Sequence, residues 1–304
     1  MTEYHKPVLL KESVDGLNIR PDGIYIDVTF GGGGHSREIL RRLGEKGRLI
    51  AFDQDQDAAR NRPLDDGRFQ FISQNFRYLK KYCRLHRAIP ADGILADLGV
   101  SSHQFDSPGR GFSIRHNALL DMRMDQDLES DARDVLNTYP EDALHRIFGM
   151  YGEVSNAKTL ARNIVLARVG QPIQTVEELK EILKPLARRG SENKYYAQVF
   201  QALRIEVNEE MDALRELLQQ SADVLAPGGR LVVISYHSLE DRLVKNFINK
   251  GKFSGEVEKD LYGNELKPFE ALNRKPVRPD AEEIERNNRA RSARLRIAEK
   301  RRAI

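Results

Sequence analysis

Short apolar runs bounded by Gly, Pro or Asp recur along the first hundred residues of the chain, at 24–28, 49–52, 69–73 and 94–98, and a fifth stands at 231–235. Runs of this length and composition predict buried strands. Helical patterns such as Ile39-Leu40-Leu43 separate several of them, and that alternation predicts a mostly parallel, doubly wound α/β sheet. More than 130 residues lie between the fourth and fifth strands, far beyond what one crossover needs. The excess reads largely as helix. Ala157, Leu160, Ala161, Ile164 and Val165 share one helical face. Thr175-Val176-Glu177-Glu178 is a capping box leading into Leu179, Ile182 and Leu183, and Tyr196, Val199, Phe200 and Leu203 form a further stripe. Tyr195 and Tyr196 read as core. A helical insertion is therefore expected at 106–210, set into a domain made of 1–105 and 211–304, to which 211–225 returns as a sheet-packing helix.

Composition narrows the class. Of 304 residues 31% are charged and 40% hydrophobic, as in a soluble globular protein. No apolar run approaches the ~18 to 20 residues of a membrane span, and Met1-Thr2-Glu3-Tyr4-His5-Lys6 lacks the apolar core of a signal peptide. The single cysteine, Cys83, excludes an internal disulfide and fits a reducing cytoplasm. The net charge of +3 says little, but residues 274–304 hold 11 Lys or Arg against 5 Asp or Glu. Arg286, Arg289, Arg291, Arg294 and Arg296 alternate there with apolar Leu295 and Ile297. Two readings of this basic tail stand side by side: a solvated, flexible end, or a segment whose guanidiniums contact phosphates.

The chemistry gathers at predicted strand ends. Tyr25-Ile26-Asp27-Val28-Thr29-Phe30-Gly31-Gly32-Gly33-Gly34-His35-Ser36 is a strand, a tight glycine turn and a helix start, the place where an α/β sheet holds a nucleotide-like ligand. A nicotinamide dinucleotide and S-adenosylmethionine compete for it. Ser36 stands where the dinucleotide fingerprint wants a small third glycine or alanine. Asp27, at the strand end, would meet an anionic pyrophosphate at close range, whereas it suits an amino group and a sulfonium. Asp53 follows Gly33 by 20 residues and can accept hydrogen bonds from both ribose hydroxyls of either ligand. The spacing favours the methyl donor.

Asp97, in Asp92-Gly93-Ile94-Leu95-Ala96-Asp97-Leu98-Gly99-Val100-Ser101-Ser102-His103-Gln104, ends a central strand and points to the same crevice, where it can accept a proton or hydrogen bond from an amine under attack. Ile234-Ser235-Tyr236-His237-Ser238-Leu239-Glu240-Asp241-Arg242 leaves the last strand nearby. Ser235, His237 and Asp241 do not make a hydrolase triad, since no G-x-S-x-G elbow exists. Asp121, Asp125 and Asp127 attract a cation only adventitiously; no metal-ligand spacing is present.

Taken in order, these stretches resemble one family, the bacterial small-subunit ribosomal RNA cytosine-N4 methyltransferases (the RsmH or MraW family). The resemblance runs from His5-Lys6-Pro7-Val8-Leu9-Leu10 through the glycine loop, Asp97 to Ser102, Arg110-Gly111-Phe112-Ser113, Leu120-Asp121-Met122-Arg123-Met124-Asp125, Phe200-Gln201-Ala202-Leu203-Arg204-Ile205 and Pro227 to Arg242. It ends near Asn288-Arg289-Ala290-Arg291-Ser292-Ala293. It implies a Rossmann-like methyltransferase fold with an inserted helical domain, and transfer of a methyl group from S-adenosylmethionine to the exocyclic N4 of a cytidine in the decoding region of 16S rRNA in the small ribosomal subunit. By resemblance the donor contacts fall on Gly33, Gly34 and His35, with Asp53 on the ribose, Phe76 near the adenine, and Asp97 and Gln104 closing the pocket. The helical insertion becomes the substrate side, and a homodimer is implied.

Residue chemistry agrees with an amino target. Methylation at C5 of a pyrimidine needs a thiolate, and Cys83 lies in polar Lys80-Lys81-Tyr82-Cys83-Arg84, away from every strand end. An amino nitrogen needs only alignment and acceptors for its N–H groups. Asp97 is the first candidate, with Ser101, Ser102 and His237 in support. The chain departs from the Asp/Asn-Pro-Pro-Tyr/Phe pattern of many amino methyltransferases. A base-stacking ring must then come from elsewhere, with Phe105, Phe112 and Tyr236 as candidates. The rival readings are an NAD-dependent dehydrogenase, a non-catalytic RNA-binding module and a methyltransferase acting on a small molecule, the last disfavoured by the large insertion and tail.

Overall fold

A computed structural model describes residues 7–302. Helix α1 (Leu10–Gly16) precedes β1 (Ile24–Asp27), α2 (Gly34–Arg42), β2 (Arg48–Asp53), β3 (Phe69–Ser73), α3 (Leu79–Leu85) and β4 (Ala91–Asp97). Seven helices follow: α4 (Ser102–Asp106), α5 (Ala132–Thr138), α6 (Glu141–Met150), α7 (Ala157–Gly170), α8 (Val176–Leu183), α9 (Glu192–Val207) and α10 (Glu210–Val224). The chain closes with β5 (Leu225–Ser235), α11 (Ser238–Lys250), β6 (Phe269–Ala271), α12 (Ala281–Arg286) and β7 (Arg294–Lys300).

The strands form one sheet in the order β3-β2-β1-β4-β5-β7-β6. Strands β1 to β5 run parallel, while β7 is antiparallel to both β5 and β6. Because parallel strands are covered on both faces, their sequences are apolar throughout rather than alternating, and Ile26, Leu49, Ile50, Ile94, Leu95, Val232 and Ile234 are fully buried. Strand order reverses between β1 and β4, and ligands of such sheets bind outside the carboxyl ends at that point. Asp27 and Asp97 end the two strands that meet there.

Two compact units divide the chain. The first comprises Met1–Gly99 and Met211–Ile304 and contains the sheet; the second is Val100–Glu210 and is helical. The helical unit has its own core, including Leu136, Leu144, Phe148, Leu160, Ile164, Leu179, Val199 and Leu203. Tyr195 and Tyr196 are buried in it, as their helical spacing predicts. The Thr175 hydroxyl accepts from the Glu178 amide at 3.3 Å while the Glu178 carboxylate accepts from the Thr175 amide at 2.9 Å, so the capping box read from sequence opens α8. The Leu120–Met124 turn is pinned by Asn208, whose amide group donates to the Met122 carbonyl (2.8 Å) and accepts from the Met124 amide (2.7 Å). Arg110 donates to the carbonyls of Arg123 and Met124.

The C-terminal stretch corrects the expectation of a basic tail. Residues 294–300 are β7, an interior strand whose Leu295 pairs with Ile234 on one side and Val277 on the other. The Arg–Leu–Arg–Ile alternation is the period-two pattern of a strand, with the arginines turned to the face opposite Leu295 and Ile297. Arg296 is buried and binds the Asp241 carboxylate of α11 through Nε at 2.7 Å and Nη2 at 3.2 Å, with Arg294 adding a third contact at 3.2 Å. Both arginines are committed to Asp241, Arg296 inside the protein and Arg294 half-buried.

Candidate active site

The glycine turn works by making a left-handed bend directly at the helix start. Gly33 has φ +73° and caps α2, its amide donating to the Phe30 carbonyl at 2.7 Å. A Cβ on Gly33 would sit 2.8 Å from the Phe30 ring, and one on Gly34 only 2.1 Å from Cγ of Pro7. Neither position tolerates a side chain without displacing its neighbour. Asp27 is fully buried, and its oxygens accept from the Ser36 hydroxyl (2.6 Å) and the Thr29 amide (3.1 Å). Ser36, the residue that departs from the dinucleotide fingerprint, is thus the partner of the strand-end acid. His35 is buried with Nε2 3.2 Å from the Val8 carbonyl, and burial lowers its pKa, so the ring is neutral and the Nε2–H tautomer fits that acceptor.

At the end of β2, Asp53 accepts the amides of Gly31 (2.7 Å) and Asp55 (2.8 Å), fixing the glycine loop against the neighbouring strand. Burial pushes its carboxyl up to about 6. At the end of β4 the Asp97 amide donates to Thr29 Oγ1 (2.7 Å), and Asp97 Oδ1 accepts from the Tyr236 hydroxyl at 2.7 Å. Burial lifts Asp97 to about 7, the Tyr236 hydrogen bond pulling the other way and the Glu240 carboxylate adding to the rise. Yet 23% of its side-chain surface stays open, so it is enclosed by protein and still reachable. The other oxygen lies 3.7 Å from Nδ1 of His35. That is too long for a hydrogen bond, and a neutral ring makes no ion pair. Tyr236 has its own pKa raised well above 10, mainly by burial, so its hydroxyl stays a donor.

Glu240 organises the end of β5. Its carboxylate accepts from the amides of Tyr236 (2.8 Å) and His237 (3.3 Å) and lies 3.1 Å from His237 Nε2. His237 in turn caps α11 through Nδ1, 3.5 Å from the Glu240 amide. The imidazole expected to support catalysis therefore has a helix-capping task. Ser101 and Gln104 do the same for α4: the Ser101 hydroxyl accepts the Gln104 amide (3.1 Å) and the Gln104 carbonyl oxygen accepts the Ser101 amide (3.0 Å). Ser102 is the first residue of α4, and its side chain lies outside the described residues. Phe76 is half-buried just past β3, behind Asn75, whose side chain caps the short turn it begins. Thr29, Tyr236 as a donor, and Glu240 are the contributors that sequence reasoning missed. The His237–Glu240 spacing was a usable signal, hidden because histidine is an uncommon N-cap.

Asp27, Asp53 and Asp97 share one charge environment. Burial raises all three, Asp97 further raises Asp27, and Asp27 further raises Asp53. Among the described residues no Lys or Arg is paired with any of them. Three crowded carboxyls without a cation make a site matched to a positively charged ligand, and a poor one for a pyrophosphate.

The comparison with known proteins agrees. The family model described as the MraW methylase family matches residues 2–301. The chain belongs to the MraW methylase family. The ribosomal RNA small subunit methyltransferase H of Cytophaga hutchinsonii is 63% identical over 298 residues, covering 98% of this chain and 99% of its own. The protein of the same name from Flavobacterium johnsoniae is 60% identical, covering 98% of both chains. Among solved structures, an rRNA methylase from Streptococcus thermophilus is 13% identical over 96% of this chain and 95% of its own, at a TM-score of 0.41. The sheet is Rossmann-like, and the methyl donor of this MraW methylase is S-adenosylmethionine.

Proposed function

We propose that the chain methylates the exocyclic N4 of a cytidine in the decoding region of 16S rRNA within the small ribosomal subunit. The observation that carries the reaction is Asp97: a strand-end carboxyl beside the glycine loop, held by Tyr236, titrating near neutrality and open on one face. The small-subunit rRNA substrate is supported by the names of relatives that are 60 to 63% identical over the whole chain.

S-adenosylmethionine supplies a methyl carbon on a positively charged sulfur. The cytosine amine is a weak nucleophile because its lone pair is drawn into the ring. Asp97 accepts a hydrogen bond from that amine, aligns it and takes its proton as the N–C bond forms and the methyl carbon–sulfur bond breaks, its electron pair staying on the sulfur of S-adenosylhomocysteine, which leaves. Tyr236 fixes one oxygen of Asp97, leaving the second for the amine. His237, as cap of the helix that leaves β5, holds that strand end, Ser101 caps α4 in the helical unit, and the helical unit is assigned to rRNA. A covalent C5 mechanism finds no thiolate: Cys83 is buried, and burial pushes its thiol up to about 12.

Asp53 is assigned to the ribose hydroxyls of the donor. Asp53→Asn keeps the side-chain size but removes the charge from those bonds, which are worth about 1.5–3 kcal/mol. Donor affinity measured by calorimetry is expected to fall about 10- to 100-fold; an unchanged Kd would remove Asp53 from the ribose. The function itself is tested by transfer of labelled methyl to small subunits lacking the modification, followed by nucleoside analysis. N4-methylcytidine is the expected product, and label in another nucleoside, or none, refutes the assignment.

A further inference from the structure

The sheet's free edge carries a positive patch at the level of the catalytic carboxyl. After β6 the chain continues along β7. The Leu272 amide donates to the Ile297 carbonyl (2.9 Å), and Val277 exchanges both backbone hydrogen bonds with Leu295 (3.0 and 2.9 Å). Between these points the Asn273 side chain stands in for the backbone, accepting from the Ile297 amide (2.7 Å) and donating to the Leu295 carbonyl (2.9 Å). Residues 274–276 are thereby released outward as a bulge. Asp97 pairs with Ile234, Ile234 with Leu295 and Leu295 with Val277. That row crosses three strand spacings, so Val277, where the bulge ends, lies about 14 Å from Asp97.

Arg274, Lys275 and Arg278 are all exposed on this segment, and among the described residues none is in an ion pair. Several other basic groups of the C-terminal stretch are already matched. Arg294 and Arg296 are taken by Asp241, and Arg286 by Glu282. In the helical unit, a polar cleft lined by Arg123, Asp131, Arg133 and Asp134 has its guanidiniums matched by Asp121 and Asp131. Three like charges within five residues repel one another, which an anionic partner relieves.

We propose that Arg274, Lys275 and Arg278 grip the phosphate backbone of the RNA strand beside the target nucleotide. The inference rests on the rRNA reading above. A target base drawn out of its stack leaves its flanking phosphates at the mouth of the site, and a guanidinium-bearing bulge one sheet edge away can hold them bidentately. Lys and Pro on an edge strand also guard against edge-to-edge pairing, and the two roles separate by charge sign, because glutamate guards an edge as well as lysine does.

The full chain, R274Q/K275Q/R278Q and R274E/K275E/R278E are compared for binding to small subunits lacking the modification and to protein-free 16S rRNA, across a salt series. Loss of three contacts at about 0.7 each flattens the slope of log K against log salt by about 2 in the glutamine variant, about 100-fold in affinity at 0.1 M salt relative to 1 M. The glutamate variant binds more weakly still. Melting temperature and the stabilisation given by S-adenosylhomocysteine stay as in the parent, because the three side chains hold nothing in the fold. A glutamate variant that binds like the parent, while the parent methylates subunits, overturns the proposal and leaves edge protection. Weakened binding to subunits with unchanged binding to bare rRNA overturns it in favour of an acidic ribosomal protein. A parent that transfers no methyl to either fells the rRNA reading and this one together.

Discussion

Asp97→Asn is expected to lower the rate of methyl transfer by about 10²- to 10⁴-fold, the range of a lost general base, with little change in donor affinity. Asparagine keeps the acceptor for the Tyr236 hydroxyl, so the local hydrogen bond survives while the basic oxygen is gone. The parent enzyme's pH profile carries the same signature. Burial raises Asp97 from 3.8 to about 7, and only the ionised form accepts the amine proton. The rate therefore falls as pH drops through about 7, and Asp97→Asn loses that limb. Single-turnover transfer measured between about pH 5.5 and 9 checks both, and a near-parental rate in the variant would remove Asp97 from the chemistry. The same shift has a stability consequence of opposite sense. The folded chain holds a proton on Asp97 that the unfolded chain releases, so this contribution is present below the ordinary carboxylate range and is lost as pH rises through about 7.

Asp241→Ala is expected to be the most damaging single change to the fold outside the apolar core. The carboxylate joins α11 to β7 by meeting Arg296, which is 8% exposed, and Arg294. Burial works against the Asp241 charge, but the two guanidiniums prevail and hold its carboxyl below the ordinary range. Removing one partner of a buried pair leaves the other charged and unmatched, at about 3–5 kcal/mol. A drop in melting temperature on the order of 10 °C follows for a unit of this size. Asp241→Leu combined with Arg296→Met recovers most of the loss, because no buried charge is left over. Thermal unfolding decides it: an unchanged melting temperature in Asp241→Ala would show that water, not Arg296, satisfies this carboxylate.

Much of the frame is legible in the sequence. Strand β3 falls on residues 69–73 as its apolar run dictates, and β1, β2, β4 and β5 start or end within a few residues of theirs. The capping box at Thr175, the stripe through Val199 and Leu203, and the turn at Gly33 are local features. Each is set by neighbours within four positions, where backbone geometry leaves few choices. The acids at the strand ends were equally plain, since a polar residue closing an apolar run has to emerge at the sheet's edge.

What stayed hidden involves partners far apart in the chain. Strand β7 lies between β5 and β6 because its pairing with Ile234 and Val277 satisfies backbone groups that the sequence does not connect, and neither a solvated tail nor a phosphate-contacting segment describes Arg296, which Asp241 holds from 55 positions away. Tyr236 is one of three candidates for a stacking ring by sequence, and its hydroxyl is bound to Asp97, 139 positions away. The acidity of Asp97 has the same origin, since it depends on how completely distant segments exclude water. The sequence alone determined the mostly parallel α/β sheet, the glycine turn and the acids at the strand ends, because these follow from periodicity and short-range sterics. Tertiary structure alone decided which charges are spent inside the fold, which remain outside at Arg274, Lys275 and Arg278, and which carboxyl titrates near neutrality, because desolvation and long-range pairing are properties of the assembled sheet.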